Sequence, residues 1–97
     1  MATMIYMPDG RTRVVHPANG KHWTLAELRS FVGGYTEKLR TVDGGVMVVN
    51  EAYKVVYTAD DLNYQATRLW VKGRQDVILG PAVVVDSLAE LEDDATS

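Results

Sequence analysis

Hydrophobic positions along this chain follow two periods, and the places where one gives way to the other mark the elements. Residues 2–7 and 11–16 are apolar-rich and are separated by Pro8-Asp9-Gly10, a turn tripeptide, so together they predict an N-terminal β-hairpin. After a Pro17-Ala18-Asn19-Gly20 loop, Thr24 and Glu27 form Thr-x-x-Glu, a capping box that opens a helix. Leu25, Leu28, Phe31 and Val32 then recur at helical spacing, and Gly33-Gly34 supplies the left-handed residue that closes a helix and the freedom to reverse.

From Tyr35 the period becomes two. Tyr35, Glu37, Leu39 and Thr41 fall on one face of a strand, and Thr36, Lys38, Arg40 and Val42 on the other. Asp43-Gly44-Gly45 predicts a hairpin turn into Val46–Val49, a run apolar enough for burial on both faces. Tyr53–Thr58 reads as a further strand. Asp60 or Thr58 is positioned to cap a second helix through Trp70, with Leu62, Ala66 and Leu69 turned inward. Val77–Leu79 and Ala82–Asp86 read as one final strand kinked at Gly80-Pro81, which places that point at an edge or a bulge. The resulting expectation is an α+β domain over 1–86, with a mostly antiparallel sheet and two helices in the order ββαββ(β)αβ. Residues 87–97 read as an acidic, partly disordered tail.

Charge sharpens that division. Five of the 13 acids (Asp86, Glu90, Glu92, Asp93 and Asp94) lie in the last twelve residues, which leaves 8 acids against 10 bases in residues 1–85. A weakly basic body tolerates an anionic ligand but is no nucleic-acid footprint, so neither nucleic acid nor a membrane is expected as a partner. The absence of cysteine removes disulfides, thiolate nucleophiles and thiolate-bound zinc, and fits a reducing, cytoplasmic setting.

The parts of a catalyst are hard to find. His16 and His22 flank a loop without a carboxylate at a recognisable metal-site spacing, and Ser30 and Ser87 sit in no nucleophile elbow. Gly33-Gly34 and Gly44-Gly45 belong to no phosphate-loop motif, and Asp60-Asp61 suits a helix N-terminus as well as a cation. No enzyme, metal or cofactor is expected. What remains suits binding. Tyr35, Tyr53, Tyr57, Tyr64, Trp23 and Trp70 offer ring faces, Arg29, Arg40, Arg68 and Arg74 offer forked donors, and Asn50 and Asn63 offer paired donor and acceptor groups. Stacking for a base and charge-assisted hydrogen bonds for phosphates are what a nucleotide pocket needs. Arg68 beside Trp70 is the sharpest instance. Each aromatic has an alternative reading as a core residue.

The run LRSFVGGYTEKLRTVDGGVMVVNEAYKVV, followed by LNYQATRLW and DVILGPAVVVD, resembles a short domain family carried by bacteriophages and other mobile elements, which has no assigned activity. The resemblance spans about residues 13–86. It rests on Val32-Gly33-Gly34-Tyr35-x-Glu37, on Asn50-Glu51, on Asn63, and on Ile78 with Gly80. The family pattern has Glu-Gly-Lys after its first asparagine, where this chain has Ala52-Tyr53-Lys54, and arginine after its second, where this chain has Tyr64. The resemblance implies a small accessory protein of a mobile genome acting in the host cytoplasm. The resulting expectation is a non-catalytic homo-oligomer that counters host defence by sequestering a small nucleotide-like signalling molecule through Tyr35, Glu37, Asn50, Asn63, Arg68 and Trp70. The alternative is a protein-interaction inhibitor or regulator of a host or phage enzyme.

Overall fold

The valine-rich run after Asp43-Gly44-Gly45 lies near the centre of a sheet, and its alternation sets the architecture. In the computed structural model, which describes residues 3–91, five strands form one sheet. They are β1 (Thr3–Tyr6), β2 (Thr12–Val15), β3 (Thr36–Arg40), β4 (Val46–Asn50) and β5 (Ala82–Val85). Their order is β2-β1-β5-β4-β3, with every pairing antiparallel. Three helices accompany the sheet: α1 (Leu25–Val32), α2 (Tyr53–Val56) and α3 (Tyr64–Leu69). The chain is therefore a mixed α+β protein.

Strand period two sends alternate side chains of β4 and β5 to opposite faces, and both faces are covered. On one side Val48, Val83 and Val85 join Ile5 of β1, Leu28 and Val32 of α1, Trp23 and Leu91. Phe31 meets the Trp23 ring edge-on at 5.4 Å, and the buried indole Nε1 donates to Thr3 Oγ1 at 2.9 Å. On the other side Met47, Val49 and Ala82 pack with Tyr53, Ala66 and Ile78. The expected α1 forms as its sequence requires. Thr24 accepts from the Glu27 N–H, Glu27 accepts from the Thr24 N–H, and Gly33 closes the helix at φ 81°.

The Val32 carbonyl at that closure accepts two side-chain donors, Asn50 Nδ2 at 3.1 Å and Tyr57 Oη at 2.8 Å. Both approach across the paired glycines. A Cβ on Gly34 would stand 3.0 Å from Asn50 Nδ2, and one on Gly33 would stand 3.0 Å from Tyr57 Oη. The Val-Gly-Gly sequence thus serves a close approach as well as a left-handed turn.

Three expected elements differ. Tyr53–Thr58 is not a strand: Asn50 Oδ1 accepts from the Ala52 N–H, turning the chain out of β4 into α2. Tyr53 and Tyr57, four residues apart, then both reach inward at helical spacing, while Val55 between them is 89% exposed. The second helix does not run from Asp60 to Trp70. Thr58 instead caps a 3₁₀ turn at Ala59–Asp61, Leu62 pairs in a bridge with Leu79, and Asn63 caps a shorter helix. Nor do Val77–Leu79 and Ala82–Asp86 form one strand kinked at Gly80-Pro81. Gly80 (φ 83°) and Pro81 precede β5, which lies in the middle of the sheet, where a proline fits at the strand's entrance.

The expected 87–97 tail is folded at its start: a 3₁₀ turn at Leu88–Glu90 leads to buried Leu91, which bridges to Trp23. The rest of it, 92–97, lies outside the described residues.

Fully buried Asn63 ties three parts together. Its Nδ2 donates to the carbonyls of Tyr6 and Gly80, both at 2.8 Å, and its Oδ1 accepts from the Ala66 N–H at 3.2 Å. Asn63→Ala leaves two carbonyls and a helix N–H without partners, and should lower unfolding free energy by about 2–4 kcal/mol. Denaturant unfolding checks it, and a loss below about 1 kcal/mol would contradict this role.

Acid should destabilise the chain through its hydrogen-bonded carboxylates. The N–H groups of Ala18 and then Thr24 hold Glu27 below the usual glutamate range, and Asp9, Asp43 and Asp76 are lowered as well. A depressed folded-state pKa contributes stability above the unfolded value and loses it as pH falls through the folded one. Thermal midpoints should therefore fall progressively as pH drops below about 5, and Glu27→Gln should show a smaller drop.

Candidate functional site

The six residues expected to bind a ligand divide into framework and surface. Asn50 and Asn63 are buried with their amides committed to Val32, Ala52, Tyr6, Gly80 and Ala66, so neither has an edge to offer a base. Tyr35 is 65% exposed just before β3, and the Arg29 guanidinium lies over its ring at 4.7 Å. Glu37 is exposed on β3, opposite Val49. Trp70 meets the other end of β3, where Thr41 bridges to it and the Val71 N–H donates to the Arg40 carbonyl at 3.1 Å. Five strand residues at roughly 3.3 Å each separate Tyr35 from that end, so the two rings share no pocket.

Arg68 and Trp70 do come together. They line a cleft of about 340 Å³ with Val42, Thr67, Val71, Gly73 and Arg74. Two local causes assemble it. The chain leaves α3 at Trp70, whose ring packs partly into the core on the α3 side while its backbone pairs with Thr41. A tight turn follows, in which Gly73 donates to the Trp70 carbonyl at 2.9 Å. A Cβ at Gly73 would fall 1.8 Å from the Thr67 carbonyl oxygen, so only glycine lets this turn close against the helix and bring Arg74 to Arg68.

No carboxylate lines the cleft. Arg11 pairs with Asp9 at 2.6 Å and Lys54 with Asp76 at 2.5 Å, both away from this cleft. Arg68 and Arg74 are thus unneutralised guanidinium groups beside an indole, an arrangement suited to an anion that carries a planar ring. The Thr67 hydroxyl is already committed, donating to the Asn63 carbonyl and accepting from the Ile78 N–H. That leaves the lining without a free hydroxyl, carboxylate or imidazole. A cleft of about 330 Å³ between the β1–β2 hairpin and α1 also holds two arginines, Arg11 and Arg13, but Asp9 pairs with Arg11 there.

His16 and His22 are both exposed, and among the described residues no cluster of three or more histidines, cysteines or carboxylates forms a metal site. No helix among them is long and apolar enough to cross a membrane. Arg74 was legible only as one arginine among four. Its place depends on the Gly73 turn, and a lone glycine between Lys72 and Arg74 carries no distinctive pattern. In comparisons with known proteins the chain matches no family model, no curated protein and no solved structure.

Gly73→Ala should force the turn off α3 and destabilise the chain by about 2 kcal/mol or more, because backbone rather than a flexible side chain blocks the added carbon. Differential scanning calorimetry reads the loss, and an unchanged midpoint would show that the turn tolerates a side chain.

Proposed function

We propose that this chain is a non-catalytic binding protein that sequesters a small nucleotide-like molecule at the Arg68–Trp70–Arg74 cleft. One observation carries the reading: two unpaired guanidinium groups and an indole share a single cleft with no carboxylate in its lining. A phosphate attracts both arginines, and a base stacks on the ring. The shortage of groups able to move a proton or attack a bond supports holding over turnover. Closure by a second copy belongs to the same reading, since Val42 and Val71 line the cleft with apolar side chains 63% and 53% exposed. The setting, a mobile-element accessory that removes a host defence signal in the host cytoplasm, rests on the resemblance read in the sequence.

A second reading, inhibition of a partner protein, draws on a different surface. Val55 and Val56 stand side by side on α2, 89% and 54% exposed, which is apolar area of the kind a protein partner covers.

Titration of the protein with ATP should quench Trp70 fluorescence. The Trp23 indole is buried on the opposite side of the sheet and serves as an unresponsive background. Trp70→Phe should abolish the change, and the paired substitution Arg68→Ala with Arg74→Ala should weaken binding by about 100-fold or more, since hydrogen bonds to charged groups contribute about 1.5–3 kcal/mol each. Absence of any response at millimolar ATP would overturn the reading.

A further inference from the structure

Arg68 lines two clefts. Beyond the one it shares with Trp70 and Arg74, it closes a second of about 280 Å³ with Tyr6, Gln65 and Leu69. The helical spacing of α3 explains this. Gln65 lies three residues before Arg68 and Leu69 directly follows it, so this side of α3 faces the end of β1 while the chain beyond it turns toward Val42 and Arg74. One exposed guanidinium is the wall common to both spaces, and no carboxylate lines either.

Size adds a constraint. Small-molecule sites commonly enclose about 300–1,000 Å³. The Trp70 cleft alone sits at the lower end of that range and the Gln65 cleft just below it, whereas the two joined across Arg68 fall well within it.

We propose that the two clefts are lobes of one site, whose ligand carries two planar rings joined through a central phosphodiester, a dinucleotide rather than a mononucleotide. This deepens the binding reading above and rests on it. Arg68 presents five N–H donors in a flat fork, enough to hold a phosphate from between the two lobes. On the Trp70 side one ring stacks on the indole, and Arg74 neutralises a terminal phosphate. On the Tyr6 side the second ring rests against Leu69, and the Gln65 amide, both donor and acceptor, meets its edge.

The lobes therefore differ in kind. The Trp70 lobe is rich in positive charge and has no amide, so it accepts any base. The Gln65 lobe has an amide and a phenol but no cation beyond Arg68, so base preference belongs there.

Isothermal titration calorimetry of the whole chain with AMP and with the linear dinucleotide pApA separates the possibilities. The expected result is that pApA binds about tenfold more tightly than AMP, the factor that the amide hydrogen bond in the second lobe supplies. Gln65→Ala should remove most of that advantage, lowering pApA affinity toward that of AMP. Gln65 is exposed on α3, and circular dichroism confirms that the variant keeps its fold. AMP binding with pApA no tighter, or Gln65→Ala weakening both ligands equally, would overturn the two-lobed site while the binding reading stands. Binding of neither ligand would overturn both.

Discussion

The fold turns on one carbonyl. Val32 ends α1 with an oxygen that no helical N–H can reach, and Asn50 from the end of β4 and Tyr57 from just beyond α2 both donate to it. A domain of this size has a modest core, so a buried polar group left without partners would cost a large share of its stability. Meeting that requirement orients α1 across β4 and brings the chain back after α2. Asn50 does both jobs, because its other amide atom accepts from Ala52 and starts the turn into α2. Gly33 and Gly34 are small so that this convergence can happen. Asn63 performs a matching task at the same end of the strands, joining β1, the approach to β5 and the start of α3.

Much of this was legible wherever the cause is local. The Thr24–Glu27 capping box, the Gly33 closure and the Asp43-Gly44-Gly45 turn specify conformation within a few residues, and each appears where its pattern places it. The errors share a different cause. Tyr53–Thr58 looks like a strand because its apolar residues are β-branched and aromatic, but the Asn50 side chain decides the matter from outside the segment. Leu62 looks like the inward face of a long helix, yet its pairing with Leu79, a partner remote in sequence, breaks that helix. Leu91, at the start of the stretch read as an acidic, partly disordered tail, is buried, and its backbone bridges to Trp23.

The candidate site shows the same division. Residues attractive as ligand contacts because they are amides, Asn50 and Asn63, are attractive to the fold for the same reason: only a side chain with both a donor and an acceptor can satisfy backbone groups on two elements at once. Their burial removes them from recognition. Arg68 and Trp70 stayed available since α3 is short and ends there, leaving its last residues at the mouth of a cleft rather than in a hydrogen-bonded interior. Arg74 joined them through a contact between a glycine and a helix carbonyl, a steric condition invisible in one dimension.

The two cores lie back to back, with the β4–β5 layer between them. Trp23, Leu28, Val32 and Leu91 occupy one, while the Arg68 clefts open from the side of the other. Separation of this kind gives the molecule an evolutionary freedom that a single core would deny it. The α1 side can stay constant and keep the chain folded while surface residues of α3 and the Gly73 turn drift. Substitutions on the exposed face of α3 then leave the packing on the α1 side of the sheet untouched.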